Sequence, residues 1–354
     1  MPTTALLLRR FLWLVFSGCL IGALYAYVGN GAPAVGALIG GSIGAALFLL
    51  ERFVLRRNAG ALFGRLPFLP YLALRSILYI AVILIVIGGV NGLASADSPF
   101  AAVKASDVLF SLALCVAVNL LFGVNELLGP GVLFAFAAGR YYQPCIEERA
   151  LLFIDMRSST AIAERLGERR FMDFLNRFIA DVSLAVGAAG GEIHKYVGDE
   201  IIATWRLAAG LNEAGCVRAC FAALDRLAAR GANYEREFGL SADFRAGLHC
   251  GPVVVGELGY LKKEIALIGD AMNTAARIEE ACRETDCRVL ASAALLERLA
   301  ALPPGVGKRA LGPLPLRGKS QAIEIYALEA DGEPQRDSAP AHQSLDPRAL
   351  ARSS

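Results

Sequence analysis

The sequence predicts two fold classes in tandem, an α-helical membrane domain of four transmembrane helices and then an α+β domain. Three observations carry this. Of the 354 residues, 55% are hydrophobic and only 19% charged, and mean hydropathy is +0.49, too apolar for a chain that meets only water. Residues 11–50 hold no charged side chain at all. From Leu151 onward the texture changes to a mixed pattern with ordinary charge.

The first apolar run is too long for one span of about 20 residues. "GNGAP" at 29–33 breaks it, which predicts helices over 10–28 and 33–54. A second pair follows over 71–94 and 107–128. No cleavage site separates the first run from the second, so a removed signal peptide is not expected. Arg9, Arg10, Arg52, Arg56, Arg57, Arg65 and Arg140 fall at the N-terminus, between helices two and three, or after helix four. The remaining loops carry only Asp97 and Lys104. The positive-inside rule then puts both termini in the cytoplasm and the chain in the cell membrane, with the lipid bilayer as a partner. A GxxxG at 36–40 offers close helix packing.

Pro130 and Pro144 bracket a segment expected to form a juxtamembrane helical connector over 129–149, with the second domain at 150–330. In that domain "LLFID" (151–155) reads as a buried strand, and residues 162–182 show a helical period. "GEIHKYV" and "EIIATW" read as strands, and a helix is expected near 212–235. "ADFRAGLHCGPVVVGELG" reads as a strand pair, "DAMNTAARIEEACRE" as a helix, "CRVLAS" and "IEIYALEA" as strands. Without a strict βαβ repeat, the helices are expected on one face of the sheet. The Pro-rich tail 331–354 is expected to be disordered.

Composition excludes some functions. A net charge of +2 gives no argument for nucleic acid as a partner. The 8 cysteines form no CxxC pair and no zinc-like cluster with His, so they read as reduced, small apolar residues.

The chemistry lies in four places. Asp155 ends a buried strand, and Ser158, Ser159 and Thr160 open a helix whose free N–H groups suit a phosphate. A strand-ending acid followed by capping hydroxyls is the commoner source of such a stretch alone. Asp199, in "HKYVGDE", would lie beside Asp155 if their strands pair; two acids at one sheet edge call for a hard divalent cation. Asn273 and Arg277 share a helix face, where Arg holds phosphoryl oxygens and Asn positions a hydroxyl. Lys319 stands in a turn before the last strand.

Taken in order, "FIDMRSST", "HKYVGDEIIATW", "FRAGLHCGPVVVGELG", "IGDAMNTAARIEEA" and "LRGKSQAIEIYAL" resemble the catalytic domain of class III nucleotide cyclases over residues 148–329. The resemblance implies a ferredoxin-like core with an antiparallel-rich sheet and a membrane-bound adenylate cyclase that turns ATP into cyclic AMP and pyrophosphate. It implies Asp155 and Asp199 as ligands of two Mg²⁺ or Mn²⁺ ions. Phosphate would lie against the backbone of Met156, Arg157, Ser158, Ser159 and Thr160. Asn273 would position ribose, Arg277 stabilise the transition state and Lys319 touch the triphosphate, all three from the second chain of a homodimer. Lys195 falls on the base-selecting position, where its donor suits N1 of adenine. The second base-reading position falls on Ala266, which cannot accept from the adenine amino group. Two other readings stay open: a guanylate cyclase making cyclic GMP, and a nucleotide-binding receptor module without turnover. The second is disfavoured by the presence of both acids, Asn273 and Arg277.

Overall fold

The computed structural model describes residues 4–29, 31–55, 68–94, 105–128, 138–207, 214–315 and 322–330. Two compact units divide the chain, Met1–Phe134 and Ala135–Ser354. The tail 331–354 and the connector residues 129–137 lie outside the described residues.

The first unit holds helices α1 (Thr4–Val28), α2 (Pro33–Leu50), α3 (Phe68–Ala94) and α4 (Ala105–Leu128), in the four places the apolar runs predict. Among the described residues three stretches, Phe11–Val28, Pro33–Phe53 and Leu69–Val90, are long and apolar enough to cross a bilayer; in α4 the apolar stretch is the shorter Leu109–Leu121. Helices α1 and α2 pack backbone to backbone. A Cβ on Gly22 would overlap the carbonyl oxygen of Gly36, and one on Gly18 that of Gly40, and the reverse holds for both pairs. The GxxxG of α2 thus meets a second one on α1, which lets the two backbones touch. A π-helical turn (Glu51–Leu55) follows α2 and presents Glu51 to α3. Arg75 Nη2 donates to Glu51 at 2.9 Å, and the Tyr79 hydroxyl donates to its other oxygen at 2.8 Å. A charge pair in an apolar bundle holds only when each member is bonded like this.

The second unit is one sheet with helices on both faces. Its strands are β1 (Cys145–Met156), β2 (Glu192–Val197), β3 (Glu200–Arg206), β4 (Phe244–Leu258), β5 (Glu264–Ile268), β6 (Val289–Ser292), β7 (Val306–Leu314) and β8 (Ile323–Ala330). The order is β2-β3-β1-β4-β6-β8-β7, with β5 paired to β4. All neighbours are antiparallel except β4 and β6, which bears out an antiparallel-rich α+β fold.

Strand β1 shows why one face of helices is not enough. Ala150, Leu152, Ile154 and Met156 enter a large core beneath helices α5 (Ser159–Leu166), α6 (Glu168–Ala188), α7 (Gly215–Ala229) and α8 (Gly231–Phe238). Leu151 and Phe153, on the opposite side, pack with Ala271 and Ala275 of α9 (Asp270–Glu284). The expectation of helices on a single face is therefore corrected. The run "LLFID" has no polar alternation because both faces are covered.

Four further differences have local causes. The long helical period splits at Gly167, whose φ of +75° ends α5. The helix expected near 212–235 is two, α7 and α8, divided at Arg230. "ADFRAGLHCGPVVVGELG" holds one continuous strand, β4, whose hairpin partner is the unforeseen β5. The connector expected to be helical is, over its described residues 138–149, turn and then strand. Residues 145–149, Cys-Ile-Glu-Glu-Arg, show no strand-like alternation in sequence, yet they pair with 251–255 of β4 and alternate in exposure. A short helix α10 (Ala293–Leu296), capped by Ser292, follows β6.

Candidate active site

Asp155 is the penultimate residue of β1. Asp199 stands in the two-residue turn joining β2 to β3, where Val197 pairs with Glu200. Gly198 takes a φ of +64° there, the conformation such a tight hairpin demands and glycine supplies without strain. Since Ile154 pairs antiparallel with Ile201, the end of β1 and the start of β3 lie side by side. The fold thus carries both acids to one end of the sheet.

The electrostatics register that crowding. The Glu200 carboxyl is raised above its usual range by burial, then by Asp155 and Asp199. Glu279 of α9, only 4% exposed, is pushed up to about 8 by burial and then by Asp155. Its Oε1 has no hydrogen-bond partner among the described residues. Arg283, also on α9, donates Nη2 to Asp155 Oδ2 at 2.6 Å. This all-oxygen, acid-rich corner already draws a cation, so its donors fit a hard divalent ion. Among the described residues no three His, Cys, Asp or Glu side chains group as a metal centre. The chain offers two aspartates and leaves the rest of an ion's coordination to other oxygens.

The turn after β1 is narrower as a phosphate cradle than the sequence suggests. The Arg157 amide donates to the Asp243 carbonyl at 3.0 Å, and its guanidinium pairs with Asp243 and Asp286. Met156 is buried in the large core. Ser158 adopts the left-handed conformation and its side chain makes no cap bond to α5. What remains is the amides of Ser159, Thr160 and Ala161, which open the helix and have no helical acceptor.

Lys195 owes its position to a β-bulge. Ile193 pairs with Ala203 and Lys195 with Ile202, leaving His194 as the extra residue. Ala203 faces the large core and Ile202 the smaller one. The bulge therefore turns Lys195 away from the face that Ile193 packs on, which is how bulges re-aim side chains. There Lys195 Nζ donates to Glu264 of β5 at 3.1 Å. His194 itself is pushed down to about 4, by burial first and then by Lys195 and Arg149, so it is neutral at pH 7.

Helix α9 lies close on β4 because a Cβ at Gly247 would meet the α9 backbone at Ala275 and Glu279. Its buried stripe runs through Ala271, Thr274, Ala275, Ile278 and Cys282. Asn273 and Arg277 stand outside that stripe, and their side chains have no hydrogen-bond or ion-pair partner among the described residues. Lys319 lies outside the described residues. Glu200, Glu264, Glu279 and Arg283 are the site residues that sequence reasoning missed. "VGDE" and "ARIEEACRE" display three of them, but nothing local distinguishes them from a solvated face.

Residues 141–330 match the family described as the adenylate and guanylate cyclase catalytic domain. The chain is 36% identical over 223 residues to adenylate cyclase 2 of Rhizobium meliloti, a match covering 63% of this chain and 61% of that protein. It is 30% identical over 186 residues to an adenylate cyclase of Anabaena cylindrica, covering 51% of this chain and 36% of that one. The chain thus spans less than two thirds of the length of these relatives. A solved bacterial light-regulated adenylyl cyclase is similar in fold, with a TM-score of 0.55 at 20% identity, over 66% of this chain and 67% of that one. The family match takes in more than half of the 354 residues, including both aspartates, the bulged lysine strand and the Asn273–Arg277 helix. The chain belongs to the family of the adenylate and guanylate cyclase catalytic domain.

Proposed function

We propose that the protein is a membrane-anchored adenylate cyclase that converts ATP into 3′,5′-cyclic AMP and pyrophosphate. The observation that carries this reading is the meeting of Asp155 and Asp199 at one sheet end, with the bulged Lys195 on the adjoining strand. The two relatives above, both called adenylate cyclases, support the choice of ATP. In the reaction the ribose 3′-oxygen bonds to the α-phosphorus, the bond to pyrophosphate breaks, and the hydroxyl proton is lost. Two divalent cations per site, Mg²⁺ or Mn²⁺, supply when bound the charge that acidifies the hydroxyl and neutralises the triphosphate. Asp155 and Asp199 hold that charge in place. The amides at the start of α5 bind the phosphates together with Lys319 of a second copy, and that copy's Lys195 donates to N1 of adenine.

Asn273 and Arg277, unpartnered among the described residues, serve the site of a second copy, Asn273 on the ribose and Arg277 on developing phosphoryl charge. Tyr260 and Leu261, 94% and 98% exposed between β4 and β5, give that homodimer an apolar surface. The arginines flanking the helices place both termini and the catalytic unit on the cytoplasmic side of the cell membrane.

The test supplies purified full-length protein with ATP and with GTP, each with Mg²⁺ and with Mn²⁺, and uses Asp199→Asn as the blank. The expected result is cyclic AMP from ATP, reduced about 1,000-fold or more in the variant. Cyclic GMP as the main product would replace the reading by a guanylate cyclase. No cyclic product from either nucleotide would overturn it.

A further inference from the structure

A purine is told apart at two adjacent atoms of its edge. Adenine presents an amino donor at position 6 beside an acceptor at N1; guanine presents an acceptor at position 6 beside an N1–H donor. Reading adenine therefore takes a protein donor at N1 and, next to it, a protein acceptor at position 6. Lys195 supplies only the donor, and the side chain of Ala266 supplies no acceptor.

The acceptor stands two residues earlier on the same strand. In β5, Ile265 and Leu267 pack into the smaller core, so Glu264 and Ala266 share the other side by strand alternation. Glu264 receives the Lys195 ammonium at 3.1 Å. Its carboxyl sits below the usual range, through the hydrogen bond and the charge of Lys195. It is thus an ionised, acceptor-only group at hydrogen-bond distance from the donor, with 39% of its side chain open to solvent.

We propose that Glu264 is the second base-reading residue of this chain, accepting from the 6-amino group of adenine while Lys195 donates to N1. This rests on the reading of Lys195 as the adenine contact. Without nucleotide the two side chains satisfy each other; with it, each turns one bond to the base and keeps its neighbour in register. The acid that position 266 lacks is supplied from position 264, on the same side of the strand.

The experiment compares wild type, Glu264→Ala and the double variant Glu264→Ala with Ala266→Asp, as full-length protein, by kcat/KM for ATP and for GTP. The expected result is a fall in the ATP-to-GTP preference of about 10-fold or more in Glu264→Ala, through KM for ATP, with part of it recovered when the acid is moved to 266. An equal loss for both nucleotides would reduce Glu264 to a structural partner of Lys195 and overturn the proposal. So would an unchanged preference in a wild type that makes cyclic AMP. A wild type that makes no cyclic product would fail the underlying reading instead. Displacement of a fluorescent adenine nucleotide by ATP or GTP then decides on Glu264, with an unchanged ATP-to-GTP ratio of displacement in Glu264→Ala overturning its role.

Discussion

His194 shows what one inserted residue does at the residue scale. It is the bulge that swings Lys195 out of the core face, and it accepts a half-buried place beside two cations in doing so. Its ordinary value of 6.5 falls to about 4 in the folded chain. Between those values the unfolded chain binds a proton that the folded chain refuses. Stability from this group is therefore complete above about pH 6.5 and is lost as pH falls towards 4. The thermal midpoint of wild type should drop more between about pH 7 and pH 5 than that of His194→Gln; parallel curves would count against this. Asp155 was legible at this scale because it ends an uninterrupted apolar run. Glu264 and Arg283 were not, since their partners lie 69 and 128 residues away in the chain. No local pattern announces a contact of that span.

At the scale of elements, the helices on the larger face are tied by a buried acid. Asp181 of α6, 1% exposed, accepts from Arg226 Nε at 2.9 Å, Arg230 Nη1 at 2.8 Å and the Tyr234 hydroxyl at 3.0 Å. It joins α6 to α7, to the break at Arg230 and to α8 at once. The two arginines reach solvent when released, whereas the Tyr234 hydroxyl is left buried. Asp181→Ala should therefore cost about 2–3 kcal/mol. The emission of the buried Trp205 during urea unfolding, on a Trp13→Phe background, reports it, and a loss under about 0.5 kcal/mol would contradict the account. This tie also explains why the α7–α8 break escaped the sequence. Apolar residues continue on both sides of Arg230–Gly231, and a lone Gly inside a helical pattern does not by itself end a helix; the tertiary bond from Arg230 to Asp181 accompanies the change of direction. Strand β1 was half legible for a related reason. Its doubly covered stretch 150–154 reads as apolar, while 145–149, with three charged residues in a row, looks like a connector until its pairing with β4 is known.

At the scale of the whole molecule, the chain divides where its hydropathy does. The first unit should remain with membranes through alkaline carbonate washing, because three of its helices meet the length and apolarity of a span. Protease added to right-side-out vesicles should leave the catalytic unit intact, and added to inverted vesicles should remove it; the opposite pattern would reverse the assigned orientation. Within the first unit the α1–α2 contact has an evolutionary consequence. Any replacement of Gly18, Gly22, Gly36 or Gly40 adds a Cβ where the facing carbonyl already stands, so no single-codon change there is silent to the packing. Leu20 and Leu24, exposed on the outer side of α1, can drift through any apolar residue. The hairpin thus inherits an uneven mutational tolerance: four positions frozen by geometry, set among neighbours that no facing backbone constrains.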